Sequence, residues 1–500
     1  MVSWGALVTT GTAGQTVPST DRRWWIFVAI QCGNFVVYMD AFIVTLALPA
    51  MARDFGVGIH VIKWAVVSYL GALTVTLLVA GRLADLFGRG RVTIVGIALH
   101  TLAALLCAAA PTLSVLLALR VLQGLGGALV LANVMAEITA VFPPQERRLA
   151  MAINASVLAL AQVTGLLVGG LFIGWLGWRA VFLVAVAVGA LGVALDVSLL
   201  PRDRPASAGR GMDWMGAVLS ILVVGAPFLL VERMARDVLD PAGLAALFAA
   251  AALVALFILV ERRSTHPLLE PSLFRSRAFS CGAAAAACYF MASVTCYFLV
   301  PLYAQVVLGR TPFAAGVLLL PLSLALVASS QLTSSLARGL STRLVSTAGL
   351  VCVAVSMVLM STYGAGASYL YIAGPLVLLG VGAGMFQSPN NAAVLAGVPP
   401  EHLGVANGAF ATALNFGQAI GASLAAEILA GGLGPKGAVD VLSGGPSSAI
   451  GGLYLQAYVR AQAHAFEVAA GLGVVGVLLS ALRGAEVRRA EVAPAVDRAR

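Results

Sequence analysis

Fourteen stretches of mostly apolar residues, each about twenty residues or longer, follow one another along the 500-residue chain. They cover 24–50, 61–80, 92–110, 112–141, 149–174, 179–200, 213–232, 241–260, 279–307, 313–334, 345–363, 367–396, 404–430 and 458–482. About 20 residues, rising about 1.5 Å each, cross the ~30 Å hydrocarbon layer of a bilayer. A helix also bonds its own backbone N–H and C=O groups, which lipid cannot do for it. The stretches therefore predict an all-α membrane protein with 14 transmembrane helices. Composition points the same way: 60% of residues are hydrophobic and 10% charged, against about 45–50% and 25% in soluble domains. A net charge of +9 would suit nucleic acid, but the arginines punctuate the apolar runs and do not line one amphipathic face. That is the pattern of basic cytoplasmic loops, so no nucleic-acid partner is expected and the lipid bilayer is.

Orientation follows from the same arginines. With the N-terminus inside, 21 of the 30 Lys and Arg fall in inside segments. The outside segments hold 7 (Arg53, Lys63, Arg179, Arg233, Arg236, Arg310 and Lys436), and Arg120 and Arg460 lie within helices. An even number of helices then places both N- and C-termini in the cytoplasm. Residues 1–23 lack the charged start, apolar middle and small-residue site of a cleaved signal, and are expected to remain as a disordered cytoplasmic N-tail. Residues 483–500 form an Arg-rich cytoplasmic C-tail. The six cysteines (Cys32, Cys107, Cys281, Cys288, Cys296 and Cys352) all fall inside apolar runs. None has metal-ligand spacing, so they are read as reduced side chains, with no metal site. The abundance of Ala, Gly, Val and Arg suggests a GC-rich bacterium, and the expected location is a bacterial inner membrane.

An internal repeat organises the helices. Gly126–Asn133 (GGALVLAN) is echoed by Ala383–Asn390 (AGMFQSPN), and each is followed by a proline pair, Pro143-Pro144 and Pro399-Pro400. Helix 4 thus corresponds to helix 12. The echo predicts an N-terminal six-helix half over 24–200, linker loops with an inserted helix pair over 201–277, and a C-terminal six-helix half over 278–482. Two parallel repeats suit a secondary transporter with its site between them.

Residues 81–91 read GRLADLFGRGR, between helices 2 and 3. Gly81 and Gly88 permit a tight turn or close approach, and Asp85 can pair with an arginine. This loop resembles the signature of the major facilitator superfamily. The resemblance implies a conformational role for Gly81, Arg82, Asp85, Gly88 and Arg89, with the loop bridging moving helices. Helix 4 carries Leu116, Arg120, Gln123, Gly124, Gly126, Gly127 and Ala128, resembling a motif common in proton-coupled members. It implies a part in proton transfer for Arg120. Helix 5 reads Gly165-Leu166-Leu167-Val168-Gly169-Gly170, which is similar to the antiporter motif except that Leu166 stands where the motif has proline. Small residues at Gly124, Gly126, Gly127, Gly165, Gly169 and Gly170 let neighbouring helices come close. Helix 1 ends YMDAFIVTLALP, resembling the fourteen-helix drug:proton antiporter family at Asp40, Ala47, Leu48 and Pro49, and departing from it at Phe42 and Thr45. Trp64, Tyr69, Trp178–Phe182, His266–Phe274, Thr311–Pro321 and Gly404–Gly408 extend the resemblance across the chain.

Charges at membrane depth are costly and mark candidate sites. At about 1.5 Å per residue, Asp40 lies about 24 Å in from Trp24 and Arg120 about 12 Å in from Thr112, so both sit in the outer half and can face one cavity. Asp40 is the first candidate proton carrier, with a structural partner of an arginine as the alternative. Glu427 in helix 13 is the second. Arg460, His464 and Glu467 share one face as an outer polar stripe. Glu137 and Asp196 lie near cytoplasmic helix ends and are expected at the interface, and His100 is expected to be a hydrogen-bonded buried histidine. Candidate cavity residues are Gln31, Asn34, Tyr38, Gln162, Tyr297, Gln387, Asn390 and Asn391, with Asn154, Gln305, Asn415, Tyr289 and Phe290 as further polar or aromatic candidates.

No Gly-rich loop with Lys-Ser/Thr is present to bind nucleotide, so no cofactor is expected and a proton gradient is the energy source. The sequence is not that of an enzyme: its five histidines are scattered. The leading expectation is proton-coupled efflux of drugs, antibiotics or related hydrophobic or amphipathic small molecules by alternating access, with no obligatory protein partner. Uptake or facilitated diffusion of a metabolite stays open because of Leu166, as does a non-transporting membrane sensor.

Overall fold

The computed structural model describes residues 20–200, 213–234, 241–264, 268–269, 271–336, 341–396, 398, 403–443 and 451–484. Both expected tails lie almost wholly outside these residues, as do the loop 201–212 and part of the 266–274 motif. In chain order the helices are α1 (Thr20–Phe55), α2 (Ile59–Ile62), α3 (Trp64–Phe87), α4 (Arg89–Ala108), α5 (Leu113–Leu131), α6 (Val134–Val141), α7 (Pro144–Leu176), α8 (Ala180–Leu199), α9 (Trp214–Met234) and α10 (Pro241–Arg263). There follow α11 (Arg277–Val306), α12 (Pro312–Leu318), α13 (Leu320–Leu336), α14 (Thr342–Ser361), α15 (Tyr369–Ala396), α16 (Leu403–Ser443) and α17 (Gly451–Leu482). Among the described residues, thirteen spans are long and apolar enough to cross a membrane, and the apolar run Trp214–Phe228 of α9 is a shorter one. Several spans are built from two pieces: α2 with α3, α5 with α6 around Ala132–Asn133, and α12 with α13 around Leu319.

Local chemistry explains the ends. Thr112, Ser276, Thr311 and Ser341 each accept a bond from the backbone N–H three residues on, at 3.2–3.4 Å, capping α5, α11, α12 and α14. Gly88 alone joins α3 to α4, with φ +94, a conformation that costs glycine little and other residues more. Gly81 lies within α3 with nothing near its missing Cβ, so the expected tight turn falls to Gly88 alone.

Each half repeats the same neighbours. In the first, α4 and α3 lie on α5, α4 and α1 on α8, and α1 on α7. In the second, α14 and α13 lie on α15, α14 and α11 on α17, and α11 on α16. Glycines mark the same crossings: a Cβ on Gly126 would sit 2.8 Å from Gly96 O, and one on Gly349 would sit 2.6 Å from Gly382 O. Gly124 abuts Tyr69 and Ala72 of α3 as Gly380 abuts Leu322 and Ala325 of α13. The structural repeat therefore pairs Gly124 with Gly380 and Gly126 with Gly382, one residue out of step with the sequence echo. Between the halves in sequence, α9 lies against α3 and α16, and α10 packs on α9 with most of its apolar surface exposed.

These contacts give a measurable expectation. A Cβ on Gly126 would meet His100 N at 2.6 Å, whereas Gly174 has open space around it. Gly126→Ala should cost about 1–3 kcal/mol through forced separation of α4 and α5, read as a lower melting temperature in detergent. Gly174→Ala should melt like wild type; equal melting of the two variants would contradict the close crossing.

Candidate functional site

The α3–α4–α5 crossing brings polar groups to α1 at membrane depth. Asp40, Tyr69, His100, Arg120 and Gln123 are all fully buried. Asp40 Oδ2 is ion-paired with Arg120 Nη1, and Asp40 Oδ1 accepts from Gln123 Nε2 at 2.9 Å. Arg120 Nη1 also donates to Gln123 Oε1 at 2.7 Å, and Arg120 Nε donates to the Ala65 carbonyl at 2.7 Å. The guanidinium lies over the Tyr69 ring at 4.2 Å, a cation–π contact. Tyr69 OH donates to Val37 O at 2.8 Å, tying α3 back to α1. His100 Nδ1 is 3.2 Å from Gln123 O, and its Nε2 is 3.4 Å from Gln123 Nε2. A neutral ring protonated on Nδ1 satisfies both contacts. His100 is thus a hydrogen-bonded buried histidine that also touches the residue holding Asp40. Arg120 Nη2 has no hydrogen-bond partner, so the pair is held by one bridging nitrogen and the aromatic face.

Chemically this is a carboxylate whose charge is balanced by one cation inside a low-dielectric bundle. Adding a proton to Asp40 removes the charge that neutralises Arg120 and weakens the tie between α1 and α5. A single proton therefore changes an interaction between two helices, which is what coupling requires.

A second ion pair joins the two halves. Lys63, between α2 and α3, is fully buried, and its ammonium pairs with Glu427 of α16. Lys63 was expected in an outside loop. Instead, the single turn of α2 draws it under the surface, where Glu427 supplies the countercharge and the Trp64 ring lies 5.3 Å away. Other ties between halves gather at the same end of the bundle. Gln305 Nε2 donates to Leu46 O at 3.2 Å. The Phe42 and Tyr297 rings meet edge-on at 5.2 Å, with Gln162 near Tyr297. Gly170 lets α7 meet α12, where a Cβ would lie 2.7 Å from Pro312 O. Phe42, one of the departures from the antiporter pattern, thus serves as an aromatic contact across the halves.

The remaining sequence candidates divide by place. Gly165 and Gly169 face Met39 and Ile43 of α1, and Gly127 faces Val37 and Leu73. Leu166 leaves α7 unbroken from Pro144 to Leu176, and its carbonyl abuts Gly316 of α12. Asp85 and Arg89 form an i,i+4 ion pair at 3.4 Å, and Arg82 is half-buried. Asn34 Nδ2 bonds both Gln31 Oε1 (3.2 Å) and Asn154 Oδ1 (2.9 Å), a polar patch within the first half. Tyr38 is half-buried against the core. Gln387 Nε2 donates to Tyr289 OH at 3.0 Å. Asn390 is fully buried, donating to Gly282 O and accepting from Arg483, so it joins helices within the second half. Asn391 is exposed. His464 and Glu467 lie 3.5 Å apart on an exposed face. Glu137 and Asp196, near the ends of α6 and α8, are buried among the helices at 6% and 0% exposure. Sequence reasoning missed Lys63. The available signal was that it is one of only two lysines in the chain, beside an apolar run, with Glu427 at matching depth.

Two repeated six-helix halves around a buried Asp–Arg centre define a membrane transporter, and comparison names its family. The Major Facilitator Superfamily model matches residues 31–422; the chain belongs to that family. It is 32% identical over 405 residues, 81% of this chain and 75% of the relative, to the multidrug resistance protein Stp of Mycobacterium tuberculosis. It is 31% identical to the puromycin resistance protein pur8 of Streptomyces alboniger, covering 81% of each chain. It is 26% identical to the riboflavin transporter RibZ of Clostridioides difficile, covering 82% of this chain and 89% of that one. Among solved structures, an inward-facing bacterial homologue of the human lysosomal transporter Spinster shares the fold. Its TM-score is 0.64 at 15% identity, over 93% of this chain and 98% of that one.

Breaking a buried pair costs about 3–5 kcal/mol because one charge is left unpaired, whereas replacing both partners by apolar groups costs far less. Lys63→Met alone should therefore lower the melting temperature strongly, and Lys63→Met with Glu427→Met should recover most of it. Additive losses in a double-mutant cycle would contradict the pair.

Proposed function

We propose that this chain is a proton-coupled exporter of drugs, antibiotics or related hydrophobic small molecules, working by alternating access in a bacterial inner membrane. The observation that carries the reading is the fully buried Asp40–Arg120 pair at membrane depth. Such a pair is expensive to bury and suits a site that exchanges a proton. The resistance and export names of several relatives support the substrate class. The arginine bias supports both termini in the cytoplasm. With that orientation, the Lys63–Glu427, Gln305–Leu46 and Gly170–Pro312 contacts lie towards the outer end.

In this cycle a proton arriving from outside neutralises Asp40 and frees Arg120 from it. Substrate binding from the inside favours the ionised form, so proton and substrate occupy the carrier in turn. One elementary charge moving across 100 mV is worth about 2.3 kcal/mol, enough to drive accumulation against a gradient. The Gly88 hinge and the Asp85–Arg89 pair hold the inner loop as α3 and α4 move. A second reading, proton-linked uptake of a metabolite, is favoured by the unbroken α7 at Leu166 and by the riboflavin transporter among the relatives.

Efflux of a dye and antibiotic panel from energised cells tests both. Wild type should export at least one compound and stop when the proton gradient is collapsed. Asp40→Asn, present at wild-type level in the membrane, should lose at least tenfold of the energised rate. Normal export by Asp40→Asn overturns the proton site, and gradient-driven accumulation without export favours uptake.

A further inference from the structure

A second buried acidic centre lies in the first half, apart from Asp40. Asp196 of α8 is fully buried, and neither of its carboxylate oxygens has a hydrogen-bond partner. It is near enough to Glu137 of α6 and to the Cys32 thiol of α1 for their charges to interact. Glu137 is itself buried and accepts a bond from Thr93 Oγ1 of α4 at 2.7 Å. Helices α1, α4, α6 and α8 thus enclose the site. Asp196 is the only ionisable residue of α8, and no basic side chain bonds or ion-pairs with it among the described residues.

An ionised carboxylate in such a place lacks both donors and a countercharge, and two neighbouring carboxylates cannot both ionise without strong repulsion. A proton removes both difficulties: the neutral acid has no charge to solvate and no longer repels the adjacent carboxylate. We propose that Asp196, with Glu137 beside it, is a second proton-binding site of this transporter. Thr93 and His100 lie seven residues apart on one face of α4, about 10 Å along the helix. His100 touches the Asp40 centre and Thr93 the Asp196 centre. The two centres are therefore about two helical turns apart along one element. With both termini in the cytoplasm, as proposed above, the Asp196 site is nearer that side and placed to exchange protons with it. Its part in transport rests on the proton-coupled reading; its occupancy by a proton does not.

Infrared spectroscopy of the purified full chain in liposomes at neutral pH reads that occupancy directly. Wild type should show the C=O absorption of a protonated carboxyl in an apolar site. The absorption should be lost in Asp196→Asn, keep its intensity in Asp40→Asn, and move in frequency in Glu137→Gln. Labelling wild type with isotopic aspartate should shift it, which decides the matter even where Asp196→Asn fails to fold. No such absorption in wild type, or one untouched by both Asp196→Asn and aspartate labelling, overturns the proposal. Loss of export in Asp40→Asn with the absorption intact would leave each centre tested on its own.

Discussion

An arginine in the interior of a helix bundle has to be neutralised, and the Asp40–Arg120 pair does this between α1 and α5. Other features of the first half follow from accommodating it. Gly124 lets α5 press against the Tyr69 carbonyl of α3, which places the Tyr69 ring under the guanidinium. Gly126 lets α5 press against the backbone of His100, which places that ring on Gln123. The Ala65 carbonyl, in the first turn of α3, takes Arg120 Nε. Four helices thus meet on one charge pair, and the small residues between them set how closely they approach.

The second half repeats the geometry without the charge. With Gly380 matched to Gly124, the positions of Arg120 and Gln123 correspond to Leu376 and Leu379, both buried and apolar. The glycine crossings survive because the helices still need to touch; the polar centre does not, because nothing on α11 calls for it. Charge chemistry is thereby concentrated in one half, while Glu427 is the second half's contribution to the seam, paired with a lysine from the first. An asymmetry of this kind suits a carrier in which one half holds the proton and the other moves against it.

Much of this was legible in the chain. Apolar length gave the spans, because lipid leaves a backbone no other partner, and the Gly126–Asn133 echo gave the six-two-six division that the helix neighbours repeat. Asp40 and Arg120 stood out because charges are rare at that depth. What the sequence left hidden was pairing across distance. Lys63 looked like a loop residue because it lies at the very start of its apolar run, and only the fold brings Glu427 to it from 364 residues away. Glu137 and Asp196 declared their places near helix ends, but not their burial among α1, α4, α6 and α8. Asn390 looked like a cavity residue, and its bonds to Gly282 and Arg483 are used within one half. A polar residue on a helix declares its depth in sequence; its facing partner depends on how the helices cross.

The account turns on Asp40 exchanging a proton when substrate binds. The most direct measurement is proton release from the purified transporter in weakly buffered detergent solution as an exported dye is added. Wild type should release protons in proportion to dye bound, and Asp40→Asn should bind the dye with little or no release. Equal release from both would contradict the assignment of the coupling proton to Asp40.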